Sequence, residues 1–110
     1  MFGKIKIGKS EMEMVVNAAT PYWFSQVFHE DFFVKSQEFT DGNEGGAVDL
    51  FSKMGYIMKN QAEGADLRKL SLDGYIEWLE QFEVMDMALA SADIAMLYAG
   101  QTKTTSKAKN

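Results

Sequence analysis

Residues 4–15 read KIKIGKSEMEMV, with polar and apolar side chains alternating on both sides of the connection Gly8-Lys9-Ser10. Alternation with a period of two places one set of side chains on each face of a strand, and a short connection with glycine lets the chain reverse. The pattern predicts a β-hairpin with its Lys and Glu side chains outward. Its inward side chains are Ile5, Ile7, Met12 and Met14. Because a two-stranded hairpin is marginal alone, we expect this apolar face to pack on the rest of the protein.

The sequence after the hairpin is dominated by helical patterns. Thr20-Pro21 predicts a helix over residues 21–29, with Thr20 as the cap and Pro21 at the first helical position, where proline's missing N–H costs nothing. A second short helix is expected from Phe32 to about Gln37. Residues 39–46 combine three glycines with other turn formers, so they predict a loop.

Three further helices follow from the positions of the apolar residues. The clearest covers about 47–62, with the stripe Ala47, Leu50, Phe51, Met54, Ile57 and Met58. Ser71 is expected to cap the next helix, with the stripe Leu72, Tyr75, Ile76, Leu79 and Phe82. The last is expected from Val84 or Asp86 to Ala99, with Gly100 as its C-cap and the stripe Met85, Ala88, Leu89, Ala92, Ala95, Met96 and Ala99.

Together these patterns predict a mainly helical α+β fold, in which an N-terminal β-hairpin packs on about five short helices. One globular domain is expected over residues 1–100. Residues 101–110 are polar and lack large apolar side chains, so they are expected to form a disordered tail.

Composition narrows the classes of function. The chain has no cysteine, which excludes thiolate metal sites and a cysteine nucleophile. The net charge is −5, and because the last ten residues hold three lysines and no acid, residues 1–100 carry −8. A body this acidic disfavours nucleic acid as a partner and favours proteins. There is no apolar stretch long enough for a membrane span and no secretory signal, so the cytoplasm is the expected location.

Candidate catalytic residues are few. His29 is the single histidine, and its neighbours Glu30 and Asp31 would not face it in a helix, so we interpret it as a surface or helix-end residue. Glu77, Glu80 and Glu83 share one helical strip beside the apolar stripe, which is typical of a solvated acidic face. The sequence therefore predicts a protein that is not an enzyme and needs no cofactor.

A calcium-loop pattern begins at Asp41 but is incomplete. Asp41, Asn43 and Gly46 match the first, third and sixth positions of the loop. The fifth position is Gly45, which has no ligand, and the twelfth is Ser52, where a bidentate glutamate is required. We therefore expect no metal site.

The large apolar residues that miss the predicted stripes indicate an interaction surface. Methionine is flexible and polarisable, so it suits surfaces that accept varied apolar partners. Core filling remains the alternative role for most of the eight methionines. We predict a partner-binding surface formed by Trp23, Trp78, Met85 and Met87.

Two segments resemble a known family. One is the hairpin continued by residues 16–22, VNAATPY, and by residues 28–33, FHEDFF. The other is residues 78–86, WLEQFEVMD, followed by Leu97-Tyr98-Ala99-Gly100 and the tail. In these segments the chain resembles the tail assembly chaperones of long-tailed, siphovirus-type phages and prophages of Gram-positive bacteria.

The resemblance implies a non-enzymatic chaperone that works in the host bacterial cytoplasm and is absent from the mature virion. Members of this family coat the tape measure protein before the tail tube polymerises, and they help to recruit the tail tube protein. In many of these phages a frameshift near the end of the gene makes a minor, longer form. Self-association stays open, as does an alternative of another class: a small acidic phage inhibitor that mimics DNA and binds a basic host protein.

Overall fold

The structure, a computed structural model, describes the backbone of residues 2–40 and 46–107 and the side chains of residues 2–37 and 46–100. Within these ranges the fold is mainly helical α+β with an N-terminal hairpin, which confirms the predicted class. The elements are β1 (Phe2–Ile7), β2 (Ser10–Val15), α1 (Ala19–Phe28), α2 (Phe32–Thr40), α3 (Ala47–Ala62), α4 (Leu72–Leu79) and α5 (Val84–Lys107). A 3-10 turn at Leu67–Lys69 leads into α4.

The hairpin has the predicted inner and outer faces. Strands β1 and β2 pair antiparallel, so that Lys4 lies opposite Glu13 and Lys6 opposite Glu11 on the outer face. On the inner face Ile5, Ile7 and Met14 are buried and Met12 is half-buried. The apolar side of the hairpin packs on α3 and α5, which supplies the support that two isolated strands lack.

The turn of the hairpin requires glycine. Gly8 has φ +63°, and a Cβ at this position would lie 2.6 Å from Oδ2 of Asp86 near the start of α5. Glycine is the residue that tolerates both the positive φ and the close approach. The turn is thereby held against the last helix.

Helix α3 is the centre of the fold and packs against the hairpin and every other helix. Five consecutive residues, 54–58, are buried in it, so no side of its middle faces water. At Gly55 the backbone comes so close to α5 that a Cβ would lie 2.5 Å from Cδ1 of Ile94. The missing side chain therefore sets the spacing of these two helices.

The start of α1 differs from the prediction. The helix begins at Ala19, and Oδ1 of Asn17 accepts a hydrogen bond from its N–H at 2.9 Å. Thr20 is not the cap but a buried residue of the first turn, whose hydroxyl accepts from the Asn17 N–H at 3.0 Å and donates to Oε1 of Gln61 at 2.7 Å. Because Asn17 takes the capping role, Thr20 can join α1 to the end of α3.

Helix α4 has the predicted N-cap, but the face that it buries differs from the predicted one. The Ser71 hydroxyl accepts a hydrogen bond from the Gly74 N–H at 3.1 Å, which confirms the cap. Tyr75 and Trp78 are its buried residues, whereas Leu72 and Ile76, both assigned to the inner stripe, are exposed.

The predicted inner face of α5 is wrong. Met87, Ala90, Ser91 and Ile94 are buried, and the members of the predicted stripe Met85, Leu89 and Met96 are exposed. Both sides of this helix are rich in apolar residues, so the pattern alone did not decide between them. Ser91 made the true inner side look polar, but its hydroxyl donates to the Ala88 carbonyl at 2.7 Å and is satisfied within the helix.

The backbone of α5 is helical to Lys107, past the predicted end at Ala99 and through Gly100. Glycine inside a helix costs only about 1 kcal/mol, and no proline follows to stop it. Residues 108–110, and the side chains of the tail from residue 101, lie outside the described residues. So do residues 41–45, on which the rejected calcium-loop pattern depends.

None of the helices described has the length and apolar character that crossing a membrane requires.

Candidate partner-binding surface

The structure does not bring the four predicted partner residues together on one surface. Trp78 and Met87 are only 5% and 6% exposed, and Trp23 is half-buried against the core. Met85 is 66% exposed. Met87 missed the predicted stripe because that stripe lay on the wrong face of α5, and Trp78 missed the stripe of α4 because the buried face of α4 includes Tyr75 from the predicted stripe but not Leu72 or Ile76. Both belong to the core, although Met87 also reaches the edge of a groove.

Trp78 belongs to an aromatic cluster under α4. Its ring centroid lies 5.5 Å from that of Tyr56 and 5.4 Å from that of Phe82. Tyr75 joins the cluster, at 5.6 Å from Tyr56 and 5.2 Å from Phe28. Tilted and edge-on pairs at these distances stabilise a core beyond the area they bury. The cluster holds α4 against α1 and α3.

The outer side of α5 carries an exposed apolar stripe. Met85, Leu89, Ala92 and Met96 follow one another at spacings of four, three and four residues, so they share one face of the helix. The three large side chains are 66%, 67% and 70% exposed, in sequence order. Asp86 and Asp93 lie along one edge of this face. We call these four apolar residues the α5 stripe.

A groove of about 420 Å³ lies where the start of α3, the end of α4 and the start of α5 meet. Its apolar walls are Val48, Leu79, Phe82, Val84 and Met87. Ser52 and Tyr75 also line it, and both residues are 2% exposed. Their hydroxyl oxygens have no hydrogen-bond partner in the part of the chain that the structure describes. Unpaired buried hydroxyls are uncommon in folded proteins.

Carboxylates surround this groove. Asp49 and Glu83 line it, and Glu30 lies on the other side of Lys53, whose Nζ is 3.1 Å from Asp49 and 3.3 Å from Glu30. Burial lowers the pKa of Lys53, but the hydrogen bonds and charges of these two acids outweigh burial and raise it. Burial also raises the pKa of Tyr75, and the Asp49 charge raises it further, so the phenol is protonated at neutral pH.

The other titratable candidates have the expected structural roles. His29 is exposed and ends α1 with φ 57°, and its N–H donates to the Ser25 carbonyl at 2.8 Å. Glu77, Glu80 and Glu83 are all exposed, as predicted, but they do not share one helical strip, because α4 ends at Leu79 and α5 begins at Val84. Within the described ranges, no three His, Cys, Asp or Glu side chains are grouped so that they could hold a metal ion.

Sequence reasoning missed both surfaces that the structure reveals. The α5 stripe was visible as a pattern, but it was assigned to the core. One signal in the sequence points to the Ser52 hydroxyl. Ser52 lies in a helix whose middle is buried on every side, so its hydroxyl must meet either a hydrogen-bond partner or a cavity.

Comparison with known proteins adds no relative: no family model, no curated protein and no solved structure matches this chain.

Proposed function

We propose that this protein is a tail assembly chaperone of a siphovirus-type phage or prophage of a Gram-positive bacterium. It binds the tape measure protein before the tail tube polymerises, and it helps to recruit tail tube subunits. It acts in the host cytoplasm without catalysis or a cofactor, and it is absent from the mature virion. The proposal rests on the family resemblance of the hairpin with residues 16–22 and 28–33, on that of residues 78–86 and 97–100 with the tail, and on the exposed α5 stripe.

The α5 stripe is the observation that supports binding to a long helical partner. A tape measure protein is a long amphipathic chain whose apolar face would aggregate if it were left in water. An exposed apolar stripe on a helix can cover such a face by helix-to-helix packing. Met85 and Met96 have flexible side chains that adapt to many partner sequences along the same tape. The acidic body around the stripe would keep the complex soluble.

Co-expression with the tape measure protein encoded in the same gene cluster tests the proposal. The wild-type chain should keep that protein in the soluble fraction. The double variant Leu89→Glu, Met96→Glu should lose this capacity and bind at least about thirtyfold more weakly, since an interface anchor contributes about 2 kcal/mol or more. Its melting temperature should stay near that of the wild type, because both side chains are exposed.

A matched control places the same charges elsewhere. Val34 and Leu72 are also exposed apolar residues, on α2 and α4. The double variant Val34→Glu, Leu72→Glu should solubilise the partner as well as the wild type does. The proposed surface is refuted if the α5 variant works normally, or if the control variant fails equally.

The gene supplies an independent test. A tube protein gene should lie upstream, and a very long tape measure gene downstream. The codons of Ala108-Lys109-Asn110, which lie outside the described residues, are compatible with the heptamer A-AAA-AAC, on which two adjacent tRNAs can re-pair after a slip of one base. If those codons lack the run of adenines, or the −1 frame closes within a few codons, a slip at this site is excluded.

The alternative of an acidic DNA mimic requires carboxylates spread along one surface. On the hairpin the acids Glu11 and Glu13 lie opposite Lys6 and Lys4, so this face does not imitate a phosphate backbone. Strongly salt-sensitive binding to a DNA-binding protein would favour the alternative over the chaperone.

A further inference from the structure

The groove between α3, α4 and α5 contains two buried hydroxyl groups that make no hydrogen bond within the described part of the chain, Ser52 Oγ and Tyr75 Oη. Ser52 and Asp49 lie close enough to the Tyr75 phenol to act on its pKa, so these three side chains face one another in the groove. A buried hydroxyl without a hydrogen bond is unfavourable, and apolar residues of similar shape would serve a purely structural role better. Both oxygens can accept a hydrogen bond from a group that enters the groove.

The charge around the groove defines what that group would be. Asp49 and Glu83 line the groove itself, and the negative charge of Glu30 also acts on the Tyr75 phenol. Lys53 is the basic side chain paired with two of these three acids. The surplus of negative charge favours a cation over an anion or a neutral group.

The shape of the groove favours a cation on an apolar stem. Val48, Leu79, Val84 and Met87 form walls that can cover methylene groups, and the hydroxyls and the Asp49 carboxylate provide acceptors for an N–H donor. A lysine side chain has this form, with four methylene groups and an ammonium that donates three hydrogen bonds. Val84 and Glu83, which line the groove where α5 begins, are exposed, so a partner can reach the groove from this side.

We propose that this groove receives a lysine side chain of a protein partner. Its stem lies on the apolar walls, and its ammonium donates hydrogen bonds to Ser52 Oγ, Tyr75 Oη and Asp49. This inference goes beyond the proposed function and does not depend on it, because any partner that presents a lysine on a helix or loop fits the same chemistry.

A titration of the whole protein with synthetic peptides tests the proposal. The probe is a short alanine-rich helical peptide with one central lysine, compared with peptides that carry norleucine or glutamate there. Amide NMR shifts locate the binding. The lysine peptide should perturb the amides of Ser52, Tyr75 and Phe82, and it should bind about tenfold more tightly than the norleucine peptide, whose stem is the same but uncharged.

Variants then separate binding from folding. Tyr75→Phe and Ser52→Ala should each weaken binding of the lysine peptide by about threefold to tenfold, while their melting temperatures stay equal or rise, because each removes an unpaired buried hydroxyl. Glu83→Gln should weaken binding as well. The matched controls are Tyr98→Phe, at a tyrosine that does not line the groove, and Glu80→Gln, at an exposed acid that does not line it either.

Three results would overturn the proposal: equal binding of the lysine and norleucine peptides, full binding by Tyr75→Phe and Ser52→Ala, or no saturable shift with the lysine peptide. None of these variants touches the α5 stripe, so failure here leaves the test of the chaperone proposal intact.

Discussion

At Gly55 the absence of one methyl group decides how closely α3 approaches α5. A Cβ there would lie 2.5 Å from Cδ1 of Ile94, which is fully buried and cannot move aside freely. Gly55→Ala should therefore destabilise the protein by about 1–3 kcal/mol, although alanine is the better helix former by about 1 kcal/mol. Urea unfolding measures the change in the free energy of unfolding.

A second substitution, Ile94→Val, removes the atom that the new Cβ would meet. Ile94→Val lacks Cδ1, so the double variant should recover most of the loss that Gly55→Ala causes alone. Additive losses in the double variant would show that the two positions do not share the contact.

Residue-scale prediction from the sequence succeeded where a local rule applied alone. Ser71 was identified as a cap because a serine preceded a helical pattern, and no competing residue stood nearby. Thr20 was misassigned because Asn17, three residues earlier, is an equally good acceptor, and the Gln61 side chain that binds Thr20 is distant in sequence. A local pattern does not contain such a contact.

At the scale of elements, α5 offers a direct test of which face is inner. Ile94→Ala should cost about 2–5 kcal/mol because it leaves a cavity in the core, whereas Leu89→Ala, an exposed position on the same helix, should cost less than about 1 kcal/mol. Chemical denaturation of both variants measures the difference. Equal losses would contradict the orientation of α5 described above.

Residues 101–110 should contribute little to the stability of the fold. A variant that stops after Gly100 should keep its melting temperature within about 2 °C, because residues 101–110 contain no large apolar side chain to bury. A variant that stops after Asp93 is the control, since it also removes Ile94 and Leu97 and should unfold. A markedly larger fall in the first variant would show that the tail packs.

Element-scale prediction gave the hairpin, its inner face and the helices, but not the orientation of α4 and α5. The hairpin was unambiguous because a period of two leaves only one apolar face. In α5 the alanines, methionines and leucine occupy both sides, so two stripes fit equally well. Tertiary packing chose the stripe that includes Met87 and Ile94, which fits against α3 and the hairpin. The candidate surface was misplaced for the same reason.

At the scale of the whole molecule, buried tyrosines make stability depend on alkaline pH. Burial raises the pKa of Tyr56, Tyr75 and Tyr98 above the usual value. Near pH ~10 the unfolded chain therefore loses phenolic protons that the folded protein keeps, so the free energy of unfolding falls as pH rises. The raised pKa of Lys53 acts in the same direction.

The urea midpoint should consequently drop between about pH 9 and pH 11. In Tyr75→Phe the drop should be smaller, since the most deeply buried of these phenols is gone. An identical drop in this variant would show that Tyr75 does not couple ionisation to folding.

The contact between the hairpin and α5 has a consequence for the order of events on the ribosome. Residues 2–15 leave the exit tunnel long before α5, yet part of their packing is against that helix, with Gly8 beside Asp86 and Gly3 beside Leu97. During translation the hairpin can pack first on α3, where Met14 lies beside Gly55, but its contacts with α5 must wait until about eighty residues have been added. The hairpin and α3 can therefore associate early, and the domain is complete only when α5 has emerged.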